Sequence, residues 1–197
     1  NVLNNSSFAS WTTGTPTRWV KTGTLTEETS LVYRAGVSAV RVAAGQTPTL
    51  TQAFSDAAAG TAYPLPPLTS LAFCVFLRGS AALSGGVLDV GLWDGAAWVD
   101  DATGADAKVS VALTGLGTTY TATTGVVRTP AVVPAGASWR LAVSTTPAGG
   151  DLLAADLAAC PLVAPYPGGP GLAAFAGATA WVAGDAWTVA ATNDRGG

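Results

Sequence analysis

The sequence predicts an all-β protein, a two-sheet antiparallel sandwich, and three observations predict it. Apolar and polar residues alternate at period two in short segments, the pattern of strands with one face packed and one wet. These segments recur about every ten to fifteen residues, with Gly, Pro, Asn or Asp between them. No apolar periodicity sustains a helix beyond two turns.

Taken in order, residues 1–11 give an apolar start, an Asn/Ser turn, then Phe8 and Trp11, and a Thr/Gly/Pro loop delivers Trp19 and Val20. Residues 31–42 read as two short strands bent at Ala35 and Gly36, and residues 49–54 as a third. The Ala- and Pro-rich stretch 55–67 is a loop, because Pro64, Pro66 and Pro67 stop any helix. Residues 71–79 are an uninterrupted apolar run of strand length, suited to burial on one or both faces. Residues 87–93 alternate, and Asp94-Gly95-Ala96-Ala97 forms a tight hairpin that sets Trp93 opposite Trp98. A polar loop at 100–108 precedes strands at 109–114, 118–127, 138–145 and 151–163, with a turn at Pro134 to Gly136. The inward set is Leu71, Phe73, Val75, Leu77, Leu88, Val90, Leu92, Leu141 and Val143, with Trp139 and Trp11 also assigned to the core. Domain 1–163 is followed by a Pro/Gly linker at 164–171 and a hairpin at 172–197 carrying Trp181 and Trp187. Two isolated strands are marginal in water, so that hairpin is expected to pack on a partner subunit or a continuing chain.

With 197 residues there is room for one domain with a sizeable core. Only 11% of residues are charged and the formal net charge is −3, with no basic stripe, which argues against nucleic acid. Although 49% of residues are hydrophobic, no run reaches the roughly 18 to 20 apolar residues of a spanning helix, so membrane insertion is not expected. Histidine is absent, which removes Ser-His-Asp and Cys-His catalysis and the usual histidine-bearing zinc sites. Methionine is absent too, so a chain starting at Asn1 reads as a processed product or a piece of something longer. The sequence leaves open whether Cys74 and Cys160 form a disulfide, worth about 4 to 5 kcal/mol in the chain-entropy model, or are two buried thiols.

The order of features then carries a resemblance. Leu3, Asn4, Asn5 and Phe8 are followed by Trp11 and Trp19, by GVSAVRV at 36–42, by Leu50, Gln52 and Phe54, by a Tyr63-containing lead into LAFCVFLRG, and by a late DLAACPL. This resembles the jelly-roll carbohydrate-binding modules appended to xylanases and laminarinases, whose relatives occur in phage tail and head-fibre proteins. The resemblance covers residues 1–163. It implies a two-sheet jelly roll without a catalytic centre, a glycan bound along a concave face or at loop tips, and sometimes a structural calcium. Asp156 matches the place of a late acidic residue that helps hold that calcium near the chain start, but no Glu or Asp precedes Glu27.

Sugar rings stack their apolar faces on indole or phenol while nearby polar groups take the hydroxyls. Trp19, Tyr33 and Trp98 neighbour loop residues or charges and are the glycan-stacking candidates, with Arg34 and Gln52 as polar partners. Asp100, Asp101 and Asp106, with Thr103 and Gly104 between them, offer closely spaced oxygens for calcium, although a solvated hairpin tip accounts for the same residues. Glycoside cleavage needs two carboxylates facing each other, and Glu27 with Glu28 or Asp100 with Asp101 are sequence neighbours that point apart on a strand. The expected protein is therefore not an enzyme but a structural or binding module of a phage-like particle: an oligomeric fibre, spike or decoration protein. It would be extracellular or on the virion, contacting other virion subunits and cell-surface polysaccharide. A carbohydrate-binding module of a secreted polysaccharide hydrolase and a purely structural virion subunit are the alternatives.

Overall fold

The computed structural model describes residues 3, 5–54 and 65–162; the predicted linker at 164–171 and hairpin at 172–197 lie outside the described residues. The described residues form twelve strands and no helix. A small hairpin pairs β1 (Trp11–Thr12) with β2 (Thr15–Pro16). The next strands are β3 (Val20–Thr22), β4 (Thr26–Glu28), β5 (Ala39–Val42) and β6 (Thr49–Ala53). After them come β7 (Ser70–Gly79), β8 (Gly85–Trp93), β9 (Lys108–Ala112), β10 (Thr121–Arg128), β11 (Ser138–Ala148) and β12 (Leu152–Leu162). Two five-stranded sheets result, ordered β10-β7-β12-β5-β4 (sheet I) and β3-β6-β11-β8-β9 (sheet II), and all their pairings are antiparallel. This is the two-sheet antiparallel sandwich that the alternation predicts.

The strand period of two decides what is inside. Leu71, Phe73, Val75 and Leu77 of β7 face Leu88, Val90 and Leu92 of β8 and Trp139, Leu141 and Val143 of β11, and all are buried. Trp139 is fully buried, with Phe54 and Phe73 edge-on to its ring at 6.2 and 5.7 Å. Trp11 is only half-buried, packed against the core rim.

In β12 the alternation breaks, and the structure gives the reason. Opposite β7 the register skips between Ala155 and Ala158, so that Asp156, at φ 43°, is the extra residue of a β-bulge. One extra residue switches parity: Leu152 and Ala154 point inward before the bulge, Leu157 and Ala159 after it. The Leu157 amide donates to Ser6 O at 2.8 Å, which ties the chain start to the bulge.

Residues 31–36, predicted as a strand, are a loop laid across the outer face of sheet I. Phe76 points out of that sheet, and an outward Phe needs cover. Tyr33 supplies it, stacked at 3.9 Å, with Tyr120 edge-on to Tyr33 and its hydroxyl donating to Leu31 O at 2.7 Å. Gly36, at φ 77°, ends the run where the predicted bend lies. Glu28 anchors the loop by accepting from the amides of Ser30 and Leu31 and the hydroxyl of Ser30. Arg41 then bridges Glu28 at 3.1 Å and Asp151 at 2.6 Å, joining β4, β5 and the entry to β12.

Cys74 and Cys160 are free thiols on the outer face of sheet I, Cys74 opposite Ala158 and Cys160 opposite Ala72. This diagonal offset, about 7 to 8 Å between Cα atoms, is too wide for an S–S bond without backbone movement. Cys160 is exposed, whereas burial pushes the Cys74 thiol up from its ordinary range. Titration of the native protein with a chromogenic disulfide at pH 8 is expected to show one fast thiol and one slower by about tenfold or more, with Cys160→Ser removing the fast phase.

Candidate functional site

The site begins with a turn. Asp94 Oδ1 accepts from the amides of Ala96 and Ala97, both at 2.7 Å, and Gly95 takes φ 109°, which a side chain would resist. The turn closes the predicted hairpin, pairs Trp93 with Trp98, and sets the two indoles nearly perpendicular, centroids 5.6 Å apart at 81°. A second turn follows, in which Asp101 Oδ1 accepts from the amides of Thr103 and Ala105 and the Thr103 hydroxyl. Asp100 bridges to Asp106, and the Ala107 amide donates to Val99 O at 2.7 Å, so both turns fold into one tip.

Between this tip and the loop leading into β11 runs an open cleft of about 760 Å³. Trp93, Trp98, Asp94, Asp100, Asp101 and Asp106 form one wall, and Pro130, Val132 and Pro134 the apolar other, with Val132 82% exposed. The Ala97 and Ala96 amides hold the Asp94 carboxyl, and the Thr103 hydroxyl and then its amide hold the Asp101 carboxyl, below the usual carboxylate range, and both are ionised at neutral pH.

On the sheet side of the indoles lie two cations. Arg140 of β11 stacks over Trp93 with its guanidinium carbon 3.6 Å from the ring centroid, and 5.7 Å from that of Trp98. Lys108 of β9 sits 5.2 Å from the Trp98 centroid, 3.1 Å from Asp106 and 3.6 Å from buried Asp89, which also accepts from Ser110. Gly91 is in register with both Arg140 and Lys108. A Cβ on Gly91 would stand 2.3 Å from Ala107 O, so only glycine lets the 107–108 backbone close over the strand.

The five predicted glycan contacts do not converge. Trp98 lines the cleft. Trp19, expected to be exposed, is only 5% exposed: it packs on Phe8 at 5.6 Å and anchors the N-terminal loop. Gln52 occupies an inward position of β6 opposite Trp139, is 3% exposed, and donates to Arg18 O. Burial removes both from ligand contact. Tyr33 and Arg34 lie on the outer face of the opposite sheet, where Arg34 forks onto Asp156 at 2.6 and 3.2 Å. Sequence reasoning paired Trp93 with Trp98 but passed over Trp93, Arg140, Lys108 and Asp89 as site residues. Their meeting depends on the β11-β8-β9 strand order, and only the Asp-Gly turn signalled part of it.

The four acidic residues suggested for calcium do not fit one. Asp156 is on the far sheet and paired with Arg34, Asp101 Oδ1 faces its own turn, and Asp106 is paired with Lys108. Among the described residues no three His, Cys, Asp or Glu side chains gather around a common point that could hold a metal.

No family model and no curated protein matches the sequence. Solved structures match it in fold. A family 61 carbohydrate-binding module in complex with β-1,4-galactotriose aligns at TM-score 0.53 and 17% identity, over 81% of this chain and 97% of that one. A cyclase from Fischerella sp. TAU, bound to 4-(1H-indol-3-yl)butan-2-one, aligns at TM-score 0.55 and 17% identity, over 81% of this chain and 96% of that one. The arabinose-bound α-L-arabinofuranosidase MgGH51 aligns at TM-score 0.55 and 17% identity, over 82% of this chain but only 26% of the arabinofuranosidase. The described domain therefore has the jelly-roll fold of carbohydrate-binding modules. That fold also carries a cyclase, so function has to be argued from the site.

Proposed function

We propose that the domain is a non-catalytic carbohydrate-binding module and that the glycan lies against the Trp93–Trp98 pair. One observation carries this reading: two indoles set nearly perpendicular at the mouth of an open cleft, opposite an apolar Pro/Val wall and flanked by ionised carboxylates. Stacking on the indoles supplies apolar affinity, and exposed Asp100 offers an acceptor to hydroxyls. Hydrolysis finds little support here, because it needs two carboxylates free to face a scissile bond. In the cleft Asp94 and Asp101 are engaged by their own turns and Asp106 by Lys108.

A glycan array followed by calorimetry on the best ligand tests the site. Trp93→Ala and Trp98→Ala are each expected to weaken binding by about tenfold or more at an unchanged melting temperature, as loss of a stacked aromatic implies. Trp19→Ala should instead lower the melting temperature, because that indole is internal. Unchanged affinity in both cleft variants would remove the site.

The module acts outside the cell, as part of a larger assembly. The phage-particle context is supported by the order of sequence features and by the Thr/Ala/Gly-rich short strands. Flanking coding sequence separates the two hosts: fibre or capsid-attachment segments support the virion, and a catalytic domain in the same chain supports a secreted polysaccharide hydrolase.

A further inference from the structure

We propose that the glycan is an acidic one and that Arg140 receives a uronate carboxylate on the sheet side of the indole pair. The proposal rests on the glycan-site reading above and adds the ligand's chemical class. Arg140 differs from the other partly buried arginines. Arg41 is held by Glu28 and Asp151, and Arg78 donates through Nε to Gly79 O. The Arg140 side chain has no carboxylate partner and no hydrogen bond among the described residues; its Nε is buried without an acceptor, while the residue as a whole stays partly exposed. Trp93 covers one face of its guanidinium at 3.6 Å, so water is excluded there, and burial works against its charge. A planar fork held flat on an indole, with its end unpaired, matches the two oxygens of a carboxylate approaching end-on.

The surroundings allow a polymer to reach it. Beside Arg140, the outer face of sheet II carries small residues, with Thr51 opposite Arg140, Ala53 opposite Ser138, and Gly91 on the other side. They leave a low bed along which a chain can continue from the cleft. The charges also set a polarity. Asp94 and Asp101 in the cleft repel an acidic sugar, whereas on the sheet side Lys108 lies between Asp89 and Asp106 and offsets one of their two charges, and neither carboxylate pairs with Arg140. A neutral residue therefore occupies the cleft and the uronate lies beyond the indoles.

Affinity electrophoresis against xanthan, hyaluronan, alginate and polygalacturonate tests this, each polymer run beside its carboxyl-reduced form, in which –COO⁻ has become –CH₂OH and nothing else has changed. At least one native polymer is expected to bind about 10- to 100-fold tighter than its reduced form, the range of a charge-assisted contact, and the preference should shrink as salt is raised. Arg140→Gln should remove the preference, and Arg140→Lys, which keeps the charge but not the fork, should recover only part of it. Reduced polymers bound as tightly as native ones would overturn the acidic assignment and leave the glycan site standing. A preference that survives in Arg140→Gln would overturn the role of Arg140. If neither native nor reduced forms bind, and the array holds no neutral ligand, both readings fall.

Discussion

Replacing Phe73 with alanine is expected to destabilise the domain by about 3 to 5 kcal/mol, and the structure says why the value belongs at the upper end. Phe73 is 3% exposed at the centre of β7, edge-on to fully buried Trp139. Its partner across the strand pair is Gly125 of β10, and a Cβ there would stand 2.5 Å from the Phe73 ring. The ring thus occupies the space that a side chain at 125 would need, and no neighbour on β10 can fill the hole it leaves. Cavities that cannot collapse are the costly ones. The same geometry supplies the control. Gly125→Ala alone should destabilise, because the new methyl meets the ring. In the Phe73→Ala background it should restore part of the loss, since the space is then vacant. Urea unfolding of the four proteins measures the coupling. Independent, additive effects would show that the two positions do not share that volume.

The core was legible because strand alternation is a local signal: each inward residue from Leu71 to Val143 could be named by counting in twos along its own strand. The hairpin at Asp94 was legible for a related reason, since turn chemistry is written in adjacent residues. What resisted reading depends on distant pairing. Trp19 sits beside Arg18 in a loop, which in sequence suggests exposure, but Phe8 folds over it. Gln52 lies on an inward parity that a polar side chain disguises, and its amide is satisfied by a backbone carbonyl 34 residues away in sequence. Arg140 and Lys108 come from strands flanking β8 on either side, and strand order is not a local property. Asp156 looked like part of a regular strand; its bulge, and its pairing with Arg34 across 122 residues, show only in three dimensions.

Acid is expected to weaken the domain chiefly between pH 4.5 and about 2, with Glu28 as the group responsible. Its carboxyl is lowered from 4.5 to about 2, first by the Ser30 hydroxyl and then by the amides of Leu31 and Ser30 and by Arg41, against an opposing effect of burial. Hydrogen bonds and a cation favour the charged form, so the folded state binds this proton less readily than the unfolded chain. The sign follows: above pH 4.5 Glu28 is ionised in both states and its contribution is complete. Between 4.5 and about 2 the unfolded chain takes up the proton while the folded state does not, and stability falls as pH falls. Below that window both states are protonated and the contribution is gone. One proton is worth about 1.4 kcal/mol per pH unit, so across that window Glu28 can account for about 3 kcal/mol. Asp151, lowered by the Ala44 amide and by Arg41, adds in the same direction below its ordinary value of 3.8. Glu28→Gln keeps the shape and removes the titration. Relative to the unchanged protein it should be less stable at pH 7, and the two urea-derived stabilities should converge as pH is lowered toward 2. Parallel decline of the two proteins through that window would show that the proton goes elsewhere, and the loop over Phe76 would then need another anchor than Glu28.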